Sequence, residues 1–178
     1  MKKYIILFIL STLLSPPIWA QTATPTINTG DTAWMVVATV LVLFMSIPGL
    51  SLFYGGLVRR KNVLNIFMQV FILVAVISIE WVVVGYSNAF GSSSIEWLKP
   101  YFGGFDWVFL NNINMSDLSP YFISNSQPTA DGSSIGTIPH LVFIMFQCMF
   151  AVITPALIIG AFAERISFKG FLVFSLLW

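Results

Sequence analysis

From Ala33 to Val58 the sequence carries no charged residue, and the run ends abruptly in Arg59, Arg60 and Lys61. About 20 helical residues rising 1.5 Å each cross a hydrocarbon core of ~30 Å, so the run reads as a membrane-spanning helix. Cations packed against the end of a span mark the cytoplasmic side, because basic loops resist translocation. The first helix is therefore expected to enter from outside and leave into the cytoplasm, and the orientation of everything after it follows. The rest of the chain has the same character: 57% of residues are apolar and 8% charged, against about 25% charged in a soluble domain. An all-α integral membrane protein, a polytopic helix bundle, is expected. A net charge of +1 offers no basic field to collect nucleic acid. One cysteine, Cys148, excludes an intrachain disulfide and a cysteine-based metal cluster. No nucleophile with a base, metal-ligand cluster or phosphate loop is legible, so neither enzyme activity nor a cofactor is expected.

Residues 1–20 look like a secretory signal peptide, with Lys2 and Lys3 ahead of the apolar stretch Tyr4 to Leu14 and Ala20 at the cleavage position. Ile18 and Trp19 make that site imperfect, and an uncleaved short anchor is the alternative. Gln21 to Gly30 forms a polar outer tail, with Asp31 or Thr32 available to cap the first helix. The spans are placed at 33–58, 63–89 and 139–163, with a partial fourth at 168–178. In the first span Pro48 and Gly49 are expected to bend the helix, and Gly49, Ser51, Gly55 and Gly56 to leave a thin surface for close helix contact. The second holds one charge, Glu80, about 25 Å from its basic start and so in the outer part of the membrane. Between the second and third lies an outer loop, 90–138, in which Trp97, Tyr101, Phe102, Phe105, Trp107 and Phe109 point to a folded loop at the membrane interface. Ser124 to Ser134 reads as an exposed insertion in it.

Glu164, Arg165 and Lys169 form a second charged turn. Two crossings after the first, it falls on the same, cytoplasmic side, so the two basic turns agree. Lys99 is the one cation assigned to the outer side after the signal. The fourth span stops at Trp178, about 15 Å in, which reads as truncation within the fourth transmembrane helix.

Three blocks of residues resemble the ammonium transporter family (Amt/Mep/Rh), on the Amt side. Phe44 to Gly49 with Leu52 to Arg59 and Lys61 to Leu64 is similar to its first helix and first cytoplasmic turn. Trp81 to Ser87 with Ala89 to Gly91 is similar to the end of its second helix. Thr137 to Phe143, Phe146-Gln147, Phe150 and Ile153 to Arg165 are similar to its third. The blocks fall in family order and at family spacing; the insertion around Ser124 to Ser134 and the early end depart from it. The resemblance implies an eleven-helix parent of two inverted five-helix repeats, one pore per subunit, assembled as a homotrimer. The implied activity is ammonium transport: ammonium recruited at an aromatic outer vestibule and deprotonated, with ammonia and proton conducted.

Phe146 and Phe150 stand four apart and share a helix face. From spacing alone they read as aromatics packed against lipid or core. The resemblance places them in the substrate pathway, Phe150 as a phenylalanine of the gate and Phe146 as the aromatic wall above it. Gln147 reads as a buried amide bonding across a helix interface rather than touching substrate. Glu80 has two readings, a charge that attracts cations at the outer mouth or an interfacial carboxylate, hydrated or paired. His140, the sole histidine, is not one of the family's paired pore histidines, which belong to helices beyond residue 178. Trp178 lies too early in its helix to be the family's cation-recruiting tryptophan. Arg59, Arg60 and Lys61, with Arg165 and Lys169, read as topology determinants, while docking of a cytoplasmic regulatory protein is the alternative. Ala156 and Gly160 form a small pair suited to helix packing.

The reading is thus the N-terminal part of an ammonium transporter of the bacterial inner membrane, its mature N-terminus outside. An ammonium sensor with an Amt-like membrane domain and a non-conducting truncated remnant are the alternatives.

Overall fold

The computed structural model describes residues 26–93, 95–121 and 136–177. The signal peptide, the insertion at 124–134 and Trp178 fall outside the described residues. Four helices organise the rest: α1 (Thr29–Leu57), α2 (Arg60–Phe90), α3 (His140–Phe162) and α4 (Phe168–Leu177). No strand occurs among the described residues, where a single bridge pairs Leu118 with Pro139. The first three helices are long and apolar enough to cross a membrane.

α3 is the axis of the bundle. In the most apolar window of each helix, 44% of residues are buried for α3, 28% for α2 and 11% for α1. Ile66, Val70, Leu73 and Ile77 of α2 recur every three or four positions, and they form one core with Ile144, Cys148, Val152, Ala156 and Ile159 of α3 and Phe171 of α4. That spacing keeps one stripe inward and leaves residues such as Leu64, Phe71 and Ile79 exposed for lipid.

Both outer helices are locally widened. Pro48 lacks the N–H that would close the turn, and π-helix runs over Met45–Leu50 where a bend is expected from sequence. The second π segment, Trp81–Gly85, holds no proline and begins directly after Glu80. Small residues allow close approach at two points. A Cβ on Gly55 would meet the Phe67 ring at 3.2 Å, and one on Gly160 would lie 2.5 Å from the Tyr54 ring. Gly56, expected to share in this contact, faces open space. Tyr54 completes the α1–α3 contact by donating its hydroxyl to the Leu157 carbonyl at 2.6 Å. The start of α1 is capped by Asn28 and not by Asp31 or Thr32: the Asn28 side chain accepts from the N–H groups of Gly30 and Asp31 at 2.8 and 3.1 Å. The helix begins earlier than its apolar run because polar residues form its first turn; Asp31 instead accepts the Thr137 hydroxyl.

The described residues between α2 and α3 pack as a folded cap at one end of the bundle. Tyr86 and Phe90 of α2, Trp107 and Tyr121 of the loop, and His140 and Phe143 of α3 form a continuous ring cluster with centroids 5.0 to 6.2 Å apart. The Ser87 hydroxyl donates to the Gly104 carbonyl and accepts the Trp107 N–H, at 2.9 and 3.0 Å. Trp97, Tyr101, Phe105 and Phe109 stay largely exposed, as suits a surface resting on lipid.

Candidate substrate-pathway site

α3 presents two unlike faces. Val152, Ala156 and Ile159 are fully buried, whereas Phe150 and Leu157 are 43% and 52% exposed and Thr154 lies open between them. Phe146 and Phe150 lie on this second face, one turn apart, with ring centroids 5.0 Å apart at 71°. The edge-to-face arrangement fixes both rings relative to each other. A further turn along, the Thr154 hydroxyl donates to the Phe150 carbonyl at 2.8 Å. The face is therefore an aromatic pair followed by a hydroxyl, half-buried at Phe146 and open at Phe150 and Thr154.

Beside that hydroxyl a cleft of about 250 Å³ opens between α2, α3 and α4, lined by Ile77, Glu80, Trp81, Ala151, Thr154, Pro155 and Ser175. Glu80 belongs to a helix that continues ten residues to Phe90, about 15 Å further. Its side chain thus shares a cleft with Ala151, Thr154 and Pro155 from the middle of α3 and Ser175 of α4. Trp81 divides this cleft from a second one of about 390 Å³, lined chiefly by apolar residues such as Leu110, Ile144 and Met145. Its indole N–H crosses to the Ile144 carbonyl at 3.1 Å. That cross-helix bond is of the kind expected of Gln147, whose side chain makes no hydrogen bond among the described residues.

His140 is buried, and its Nε2 faces the Tyr86 hydroxyl in a short hydrogen bond. With that nitrogen taken and rings of Tyr86 and Trp107 against it, it serves the cap of the bundle. No group of three potential metal ligands occurs among the described residues.

Five of the six described lysines and arginines gather at the opposite end, the sixth being Lys99 of the loop. Arg59, Arg60, Lys61, Arg165 and Lys169 are all exposed, in two turns that Glu164 ties together. Its carboxylate accepts the Arg59 backbone N–H at 3.1 Å and the Asn62 amide at 2.6 Å, and pairs with the Arg59 guanidinium at 3.3 Å. These bonds, the Asn62 one first, pull its pKa down from 4.5 to about 2. Glu164 also takes φ 65°, ending α3 in the left-handed region usually filled by glycine. A charged residue at that position was the available sequence signal for this clamp; Tyr86 gave none beyond its place among aromatics.

The sequence model of the Ammonium Transporter Family matches residues 33–178. The chain is similar to the ammonium transporter of Bacillus subtilis (strain 168), 44% identical over 151 residues, covering 84% of this chain and 32% of that protein. An ammonium transporter of Aquifex aeolicus (strain VF5) is 39% identical over 158 residues, covering 85% of this chain and 31% of its own length. Among solved structures, Saccharomyces cerevisiae Mep2 superposes with a TM-score of 0.63 at 26% identity, over 89% of this chain and 30% of that one. Candida albicans Mep2 gives 0.61 at 26%, over 85% and 29%. The chain thus spans about a third of the length of these relatives. The match runs through all four helices, the aromatic pair and both basic turns, and on that ground the chain is a member of the ammonium transporter family.

Proposed function

We propose that this chain supplies the Phe146–Phe150 face of an ammonium pathway. The observation that carries the reading is the pair itself: two rings set edge to face, Phe146 half-buried against the core and Phe150 43% exposed one turn on. Ring faces attract a cation that has shed part of its water, each contact being worth about 0.5–2 kcal/mol. An apolar constriction rejects ions that keep their hydration shell. Ammonium can meet the pair with its charge held by the rings, and ammonia and proton pass on after deprotonation. The residues described here bind and desolvate; the one histidine is engaged with Tyr86 in the cap.

In the same reading the end bearing Arg59, Arg60, Lys61, Arg165 and Lys169 is cytoplasmic and the aromatic cap is outside, with the mature N-terminus. Support comes from the segregation of these five exposed cations at one end of the bundle. α1, with its outward apolar surface, is left to face lipid or a neighbouring subunit of a homotrimer.

A chimera tests the function. Residues 33–178 replace the matching segment of the Bacillus subtilis ammonium transporter, and labelled methylammonium uptake is measured in cells lacking their own transporter. Uptake above that of empty cells is the expected result; a chimera present in the membrane and inactive would count against the reading.

A further inference from the structure

We propose that Glu80, Thr154 and the Ala151 carbonyl form a site for one monovalent cation of ammonium size. It would lie a helical turn beyond the Phe146–Phe150 pair. As a station on the same route it rests on the pathway reading above, although the chemistry of the cleft stands without it.

Glu80 lies well inside a membrane-spanning helix. The ion pairs among the described residues are Arg59 with Glu164 and Lys99 with Glu96, and neither reaches it. A carboxylate at such a depth costs several kcal/mol unless a counter-charge or protonation neutralises it, and unneutralised ones in membranes mark ion or proton routes. The walls around it bring no side-chain donor to a bare carboxylate, because their hydrogen-bond donors are already used. The Thr154 hydroxyl gives its proton to the Phe150 carbonyl and the Ser175 hydroxyl gives its own to the Phe171 carbonyl, at 2.8 and 2.9 Å. The Trp81 indole N–H is spent on Ile144. What these hydroxyls keep for the cleft is lone pairs. Pro155 has no N–H, so the Ala151 carbonyl lacks the donor that would meet it one turn on. The Glu80 carboxylate, two hydroxyl oxygens and the Trp81 indole thus line a cleft together with the apolar side chains of Ile77, Ala151 and Pro155, and its polar side chains offer acceptors.

Such a lining serves the charge of a bound cation and equally the O–H of a protonated Glu80, and measured cation binding decides between them. One carboxylate balances one charge, whereas calcium sites gather six to eight oxygens with several carboxylates among them. The volume of about 250 Å³ leaves room for the ion and several waters at about 30 Å³ each. A π segment begins at Trp81, directly after Glu80, and π segments inside helices recur at functional sites.

The test uses the whole chain in lipid nanodiscs, with radiolabelled methylammonium as probe in equilibrium dialysis. Saturable binding near one per chain is expected, competed by potassium or thallium(I) and not by magnesium. Glu80→Gln should weaken it at least tenfold, Thr154→Val should weaken it less, and Glu80→Asp should retain much of it. Methylammonium should also raise the melting temperature of the parent chain and leave that of Glu80→Gln unmoved, which separates lost binding from lost folding. Absence of saturable binding, or Glu80→Gln binding as tightly as the parent, would overturn the site. Phe150→Ala distinguishes the two readings: if the pathway reading fails alone, this variant leaves chimera uptake unchanged while the Glu80 dependence of binding persists.

Discussion

At the basic end of the bundle three polar donors converge on one surface carboxylate, whereas at the cap a buried cluster of rings closes over a Tyr86–His140 hydrogen bond. Both devices join segments far apart in the chain, Arg59 to Glu164 in one and Tyr86 to His140 in the other. They differ in solvent. The Glu164 clamp works in water, where ion pairs are screened and contribute little. The cap works out of water, where an unpaired polar group costs about 1–3 kcal/mol and rings add area burial. The cap is therefore expected to resist salt and the clamp to yield to it.

The largest break belongs to the cap. A Cβ on Gly103 would sit 1.9 Å from the Asn88 carbonyl oxygen, backbone against backbone. Gly103→Val should undock the loop, lowering stability by about 3 kcal/mol or more, read as a fall in thermal midpoint with loss of tryptophan fluorescence anisotropy. A helix contact comes next. Gly160→Leu drives side-chain atoms into the Tyr54 ring and should separate α1 from α3 at a cost of about 2 kcal/mol, measured by denaturant unfolding in mixed micelles. Tyr86→Phe keeps the ring and removes the hydroxyl, leaving the buried His140 nitrogen unpaired at a cost of about 1–2 kcal/mol. Its loss should not depend on salt, which distinguishes the cap from the clamp.

The smallest effect is that of Glu164, and its pH dependence gives it away. Its folded pKa of about 2 lies below its ordinary value of 4.5. The clamp therefore contributes stability in full above about pH 4.5 and loses it as pH falls towards 2. Glu164→Gln should abolish that part of the acid sensitivity and the salt sensitivity with it. Glu164→Gly should lose the same pH dependence yet regain some stability, because glycine takes φ 65° without strain.

Sequence reasoning reached the elements that composition dictates. Charge-free runs long enough to cross a bilayer have few other conformations open to them, and the helices lie where those runs lie. Helix ends were less legible because polar first turns, such as the one capped by Asn28, continue a helix beyond its apolar stretch. The shared face of Phe146 and Phe150 follows from their spacing, but spacing says nothing about whether a neighbouring helix covers it. Pairings across long separations were out of reach: Trp81 to the Ile144 carbonyl and Asn62 to Glu164 depend on how helices dock. Glu80 is the instructive case. Its depth along a helix could be counted, while the acceptor-only lining around it required α2, α3 and α4 together.

The central claim is that the Phe146–Phe150 face touches the permeating species, and Phe150→Ala in the Bacillus subtilis chimera addresses it most directly. Methylammonium uptake is measured per molecule of chimera in the membrane, with potassium leak recorded alongside. The account predicts a change in uptake of about tenfold or a gain of potassium leak, at unchanged membrane abundance. Uptake and selectivity equal to those of the unmodified chimera would contradict it and return the pair to packing.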